Sequence, residues 1–112
     1  MKTKTSELLG PALNWAVARA DGYDRGWLDR QLKNPNPYTR CIPEFSTNWS
    51  QGGPIIEREN IDLISPTPSD PLWQAMQWRF AHGAKGITPL IAAMRCYCCS
   101  KLGDEVEIPD GL

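Results

Sequence analysis

Thr88-Pro89-Leu90-Ile91-Ala92-Ala93-Met94-Arg95-Cys96-Tyr97-Cys98-Cys99-Ser100-Lys101-Leu102-Gly103-Asp104-Glu105-Val106 is the stretch that decides the fold. It reads as a punctuated helix running into a strand. Thr88 is a capping residue, Pro89 suits the first helical position, and Gly103 suits the position just past the end. Leu90, Ile91, Met94, Tyr97, Cys98 and Leu102 recur at helical spacing and form a broad apolar face, with Arg95 and Ser100 off it. After Gly103, Glu105 and Glu107 alternate with Val106 and Ile108, the pattern of a half-buried strand that Pro109 stops.

Working outward, Thr3 and Thr5 alternate in Met1 to Ser6 and suggest a short first strand. Gly10-Pro11 opens a helix to Ala20, where Leu9, Leu13, Ala16, Val17 and Ala20 share a face and Trp15 lies off its centre. Asp21-Gly22 ends it. In Tyr23 to Pro43, Trp27, Leu28 and Leu32 form one amphipathic turn or two, and Asn34-Pro35-Asn36-Pro37 forbids regular structure. The irregular stretch is expected to continue to Gly53, and long loops of this kind are usually functional or mobile. Ile55 to Ile64 reads as extended chain interrupted by Arg58-Glu59-Asn60. The three prolines in Ser65 to Pro71 make a loop. Leu72 to Phe80 fits either a helix or a strand, and its aromatics favour the strand. His82-Gly83 to Gly86 is expected to turn the chain. The sum is an α+β fold: a small antiparallel sheet of three to five short strands, with two main helices packed on one face, in a single domain over residues 1–112.

The bulk numbers narrow the function. A chain of 112 residues buries one modest core. A formal net charge of -1 lacks the basic footprint of a protein that coats nucleic acid. With no recognisable helix-turn-helix, a DNA-binding regulator ranks third among the readings. No apolar run approaches the roughly 20 residues that span a bilayer, and no signal-peptide pattern opens the chain. Of the four cysteines, Cys96, Cys98 and Cys99 share the C-terminal helix and Cys41 stands alone. Cys96 and Cys99 have C-x2-C spacing but no second pair, so reduced, partly buried thiols are expected rather than zinc or a disulfide.

Catalytic chemistry finds little support. His82 is the single histidine, set in a glycine-rich segment without a nucleophile elbow. Glu57 and Glu59 flank Arg58 and in a strand would point the same way, which suits a divalent cation or, more simply, a solvated strand face. The Trp49-Ser50-Gln51-Gly52-Gly53-Pro54 segment has two readings. As a glycine-rich loop its amides can nest an anion, with Ser46, Thr47, Asn48 and Gln51 as further donors and Trp49 as a stacking face. As a hairpin-like turn it folds Trp49 into the core. Arg58 and Arg95 are the cations such a site would use, while Arg25, Arg30 and Arg40 read as solvated loop charges. Tyr38 adds a second aromatic. No enzyme, cofactor or metal is expected.

Three blocks resemble a known family. In Leu8 to Ala18, the residues Gly10, Leu13, Trp15, Ala16 and Val17 resemble its opening L-x-G-x-x-L-x-W-A-V-A. The second block is Tyr38 together with Ser46 to Glu57, where Asn48 to Glu57 is similar to the family's central W-x-x-G-G-P-I-I-E, and the C-terminal stretch quoted above is the third. The family is the NinX-like proteins of lambdoid phages, whose biochemical activity is not established. The chain departs from that pattern at Cys98-Cys99, where valine and alanine are usual, and in an extended middle from Pro37 to Phe45. The resemblance implies a phage or prophage accessory protein in the cytoplasm of an infected host. The leading expectation is non-catalytic binding of a nucleotide-like small molecule that counters host defence, through Tyr38, Ser46, Thr47, Asn48, Trp49, Gln51, Gly52, Gly53, Arg58 and Arg95. The alternative is a protein-interaction module that modulates a host or phage enzyme. A homo-oligomer stays open.

Overall fold

Helix α4 (Pro89–Leu102) is the axis of the molecule. The computed structural model describes residues 1–112, the side chains of Phe80 and His82 excepted. Thr88 caps α4 as its sequence implies, its Oγ1 accepting from the Ile91 N–H at 3.1 Å, and Gly103 ends it at φ +85°. The burial goes further than one apolar face. Leu90 to Met94 and Cys96 to Cys99 are all buried, because α4 is covered from several directions at once.

One cover is a three-stranded antiparallel sheet of β2 (Asp62–Ile64), β3 (Trp73–Gln77) and β4 (His82–Gly86), with β3 central. Leu63 pairs with Ala75, and Ala75 with Ala84. Alternation then sets Leu63, Trp73, Ala75 and Ala84 against the core. It sets Asp62, Ile64, Gln74, Met76, Gly83 and Lys85 on the opposite face. The strand reading of Leu72 to Phe80 holds over Trp73–Gln77 only, because Trp78–Phe80 turn away in a single 3-10 turn. The turn expected at Gly83 to Gly86 is instead strand β4. The reason is tertiary: a Cβ on Gly86 would lie 2.7 Å from the Ala92 nitrogen and 2.9 Å from Ile91 Cγ2. A strand of small residues lets α4 lie directly on it.

The second sheet pairs the chain ends. β1 (Lys2–Lys4) runs antiparallel to β5 (Glu105–Glu107), with Thr3 opposite Val106. Both strands match their expected positions, but they form a separate sheet. Buried Thr5 locks this sheet to the end of α4, donating from Oγ1 to the carbonyls of Gly103 at 2.8 Å and Asp104 at 3.1 Å.

The remaining cover is helical. α1 (Gly10–Ala20) begins at Gly10, whose φ of +58° suits glycine, and buries Leu13, Trp15, Ala16, Val17 and Ala18. The segment read as one or two amphipathic turns is α2 (Arg25–Lys33), capped by Asp24, whose Oδ2 accepts from the Trp27 N–H at 2.9 Å. The largest correction is α3 (Trp49–Glu59). Neither the loop expected over Trp49 to Pro54 nor the extended chain expected from Ile55 survives, and only Asp62–Ile64 is strand. Asn48 caps α3 by accepting from the Ser50 N–H at 2.9 Å. Gly52 and Ile55 face inward and are buried. Burial of that i, i+3 face outweighs the low helix propensity of Gly52, Gly53 and Pro54. In this helix Glu57 and Glu59 no longer share a side, so the paired-carboxylate reading fails with the strand that carried it. The fold is thus α+β, with four α-helices and five strands in two small antiparallel sheets. Among the described residues no helix is long and apolar enough to cross a membrane.

Candidate functional site

The residues read from the sequence as one site fall into three places. Trp49 and Arg58 begin and end α3. Nine residues at 1.5 Å rise separate them by about 14 Å along the axis. Arg95 belongs to a different helix.

Arg58 and Arg95 are held by the protein itself. Arg58 donates from Nη2 to Asp21 Oδ1 at 2.6 Å and to the Tyr97 hydroxyl at 3.1 Å, and from Nε to Glu59 Oε2 at 2.9 Å. Its guanidinium lies over the Tyr97 ring, 5.7 Å from the centroid. The bond to Glu59 and then Asp21 hold its pKa above the usual arginine value. Tyr97 in turn donates to Asp21 at 3.0 Å, and burial, then Asp21, push its phenol pKa up. The cluster pins the ends of α1 and α3 to α4. Arg95 donates from Nε to the Leu8 carbonyl at 2.8 Å and from Nη1 to the Lys85 carbonyl at 2.9 Å. It covers the outer edge of β4, and burial lowers its pKa. Both arginines are therefore structural clamps.

Several donors are also committed. Ser46 is buried and donates both its N–H, at 2.9 Å, and its Oγ–H, at 2.7 Å, to Asn14 Oδ1. The Gly52 N–H donates to the Asn48 carbonyl at 2.9 Å. Helical geometry leaves Gly52-Gly53 no anion nest. Gly52 is small for packing, since a Cβ there would meet the Phe45 carbonyl oxygen at 2.4 Å and Leu90 Cδ1 at 2.7 Å. The core reading of Trp49 fails too: it is 52% exposed.

What remains is a shallow groove bordered by the first turn of α3. It is about 300 Å³ and is lined by Arg40, Cys41, Ile42, Pro43, Glu44, Asn48 and Gln51. Arg40, Ile42 and Glu44 also line an adjoining cleft of about 190 Å³ with Pro11, Asn14, Leu32, Pro37 and Leu112. Arg40 is no solvated loop charge. It is half-buried, and its Nε and Nη2 donate to the Asn34 carbonyl at 3.1 and 3.0 Å. The Asn-Pro-Asn-Pro stretch is a built turn. Asn34 Oδ1 accepts from the Asn36 N–H and Asn36 Oδ1 from the Tyr38 N–H, each at 3.0 Å. That turn presents Tyr38 at 95% exposure. Thr47, at the lip before α3, is exposed and donates its N–H to the Glu44 carbonyl at 3.2 Å. Of the residues read from the sequence as a site, Asn48 and Gln51 line this groove, and Arg40, held on a backbone carbonyl as Arg95 is, lines it with them.

A model of the bacteriophage P22 NinX family matches residues 4–101. The chain belongs to that family. No curated protein matches it. In this NinX chain the three signature blocks fall on α1, α3 and α4, the helices that interlock around the core. Gly10, Leu13, Trp15, Gly52, Ile55 and Met94 serve the packing of the domain, and the groove is lined by residues 40–44 with Asn48 and Gln51.

Among the described residues no three His, Cys, Asp or Glu side chains are placed to hold a metal ion. The His82 side chain, read from the sequence as a remote catalytic candidate, lies outside the described residues. None of the four cysteines is in a disulfide. Burial pushes the Cys96 thiol up to about 11 and raises Cys98 and Cys99 as well. Cys41 alone is exposed. Native protein treated with iodoacetamide near neutral pH is therefore expected to gain a single adduct, at Cys41, and four adducts in denaturant. Rapid native labelling of Cys96, Cys98 or Cys99 by peptide mass mapping would contradict the packing of α4.

Proposed function

We propose that this phage accessory protein acts by non-catalytic binding of an anionic, ring-bearing small molecule of nucleotide type. The supporting observation is the guanidinium of Arg40, held on the Asn34 carbonyl in a shallow groove bordered by the first turn of α3. A fixed arginine at the positive end of a helix favours a negatively charged group. Asn48 and Gln51 supply polar side chains in the groove, and exposed Tyr38 and Trp49, close to it in sequence, are the aromatic faces such a ligand would use. Glu44, in the same groove, suits a ligand that also carries donors, as a nucleobase does. Sequestering such a molecule from a host defence is the role that the phage setting attaches to the binding.

A second reading is a protein-interaction module that binds a host or phage enzyme. It is favoured by the small volumes of the groove and cleft, which sit at or below the roughly 300–1,000 Å³ usual for small-molecule sites. Exposed Tyr38 and Trp49 are also residue types that anchor protein interfaces.

Calorimetric titration of adenosine monophosphate, adenosine triphosphate and a cyclic dinucleotide tests the first reading. At least one is expected to bind, and Arg40→Ala with Trp49→Ala to weaken it by about tenfold or more, roughly 1.4 kcal/mol. Both side chains are outside the core, so the double variant should keep its circular dichroism. If no nucleotide binds, but a protein captured from infected cells is lost on the same double substitution, the second reading replaces the first. If binding of every kind survives the double variant, the site lies elsewhere.

A further inference from the structure

The segment that follows β5 runs beside the start of α1 and is fastened unevenly. Its root is fixed, because Ile108 is buried and its N–H donates to the Met1 carbonyl at 3.0 Å. Among the described residues, those beyond Ile108 make no hydrogen bond to the body of the domain. A turn at Asp110-Gly111 then folds the segment back, with Gly111 at φ +88°. A Cβ on Gly111 would meet nothing within 4 Å, so this glycine serves the backbone conformation and not a close approach. What the turn achieves is the placement of Leu112, which lies half-buried against the core. One apolar side chain therefore holds the strap Pro109–Leu112 down.

Leu112 stands between two cavities. On one side is the cleft of about 190 Å³, which it lines with Arg40, Ile42 and Glu44, the three residues that the cleft shares with the groove. On the other is a mainly apolar hollow of about 380 Å³, which it lines with Leu8, Leu9 and Ala12. With Leu112 down, the cleft is smaller than the roughly 300–1,000 Å³ of usual small-molecule sites. With Leu112 lifted, cleft and hollow share one opening, and the apolar surface of α1 joins the cleft that holds the Arg40 guanidinium. A fixed cation bordered by apolar surface is what an anion bearing a ring requires.

We propose that Leu112 is a gate: the strap closes the ligand site in the free protein, and the ring of the ligand takes the place of the leucine. The occupant rests on the ligand reading above, whereas the closure itself does not. A site that is competent only while the gate is up binds with an affinity reduced by the open fraction. Releasing the gate therefore tightens binding without adding a contact. A purely structural leucine behaves otherwise, since its removal lowers the melting temperature and leaves binding unchanged or weaker.

Anilinonaphthalene sulfonate, itself a ring-bearing anion, reads the gate without any nucleotide. Leu112→Ala removes the side chain, and Gly111→Val, strained at a positive φ, misdirects it. Each is expected to raise dye fluorescence about threefold or more over wild type, the gain that an opened site allows. Leu112→Met keeps the bulk and is expected to match wild type. Arg40→Ala added to Leu112→Ala is expected to cancel the gain. In calorimetric titrations, the nucleotide that binds wild type is expected to bind Leu112→Ala about threefold or more tightly. Equal dye fluorescence in wild type and both opened variants overturns the gate, whatever the nucleotides do, and so does a gain that survives Arg40→Ala. A nucleotide that binds wild type and Leu112→Ala equally overturns it as well. If the opened variants gain dye as expected but no chain binds any nucleotide, the gate stands and the ligand reading falls.

Discussion

Met94→Asp is expected to leave the chain unfolded at ambient temperature. Met94 sits midway along α4 with no exposed surface. The flanking buried residues are Ile91, Ala92, Ala93, Cys96, Tyr97 and Cys98, none of which can pair with a carboxylate at neutral pH. An unpaired buried charge adds its desolvation cost to the loss of the methionine packing. The two together come to roughly 5 kcal/mol or more, comparable with the entire stability of a domain of this size. Met94→Leu is the control. It keeps volume and apolarity and should cost below about 1.5 kcal/mol. Thermal melts by circular dichroism separate the two variants. A Met94→Asp protein that melts within a degree or two of wild type would mean that α4 faces another way.

That helix was legible because each local signal agreed with the tertiary structure. Thr88, Pro89 and Gly103 punctuate it, and the strand that follows alternates as a half-buried strand should. The positions of α1 and β1 were legible in the same way, although Trp15, read as off the apolar stripe, is buried and Leu9, read as on it, is exposed. The elements that were misread are those in which a local signal points away from the fold. The glycines of β4 look like a turn until α4 is laid on them, because only then does the missing Cβ of Gly86 have a purpose. In α3, Gly52-Gly53-Pro54 advertises a loop, while the spacing of Gly52, Ile55 and Ile56 carries the weaker helical message. α2 was obscured by its charged residues, although Asp24 stood ready as a cap three residues before Trp27.

The candidate site was legible in part, for the same reason. A site reading that assumes a strand or loop puts Trp49, Gly52 and Arg58 within reach of one ligand. A helix separates the first from the last and turns Gly52 inward. Exposed aromatics were recoverable, since a tyrosine after Asn-Pro-Asn-Pro is unlikely to be core. Which arginine serves the site was not recoverable. Arg58 and Arg95 stand next to apolar residues and look held, and they are held, but by Asp21, Glu59, Tyr97 and two backbone carbonyls. Arg40 looks like a loop charge, and only the folded turn from Asn34 to Thr39 shows that a carbonyl fixes it.

Gly52→Val carries the second large effect, and it discriminates between the two roles a glycine can have. A glycine retained for an anion nest supplies amides, and its substitution harms binding more than folding. A glycine retained for contact supplies empty space, and its substitution harms folding first. Gly52 has helical backbone and no positive φ, so conformational freedom is not what it contributes. The space is what counts, because a Cβ would be 2.4 Å from the Phe45 carbonyl oxygen and 2.7 Å from Leu90 Cδ1. Leu90 can rotate away, but the Phe45 carbonyl is backbone and moves only with the segment that carries buried Phe45 and Ser46. Even Gly52→Ala, which gains about 1 kcal/mol in intrinsic helix propensity, is therefore expected to lose stability. Overpacking of this kind costs about 1–3 kcal/mol, and valine adds two further methyl groups at the same point. Gly53 is the internal control. A Cβ there meets only Trp49 Cε3, at an ordinary 3.8 Å, so Gly53→Ala should raise the melting temperature by the helix propensity it gains. Urea melts of the three variants decide the matter: the expected order of stability is Gly53→Ala above wild type, then Gly52→Ala, then Gly52→Val. If Gly52→Ala is instead as stable as Gly53→Ala, then α3 does not dock on α4 through this contact, and the helical account of the central signature block is wrong.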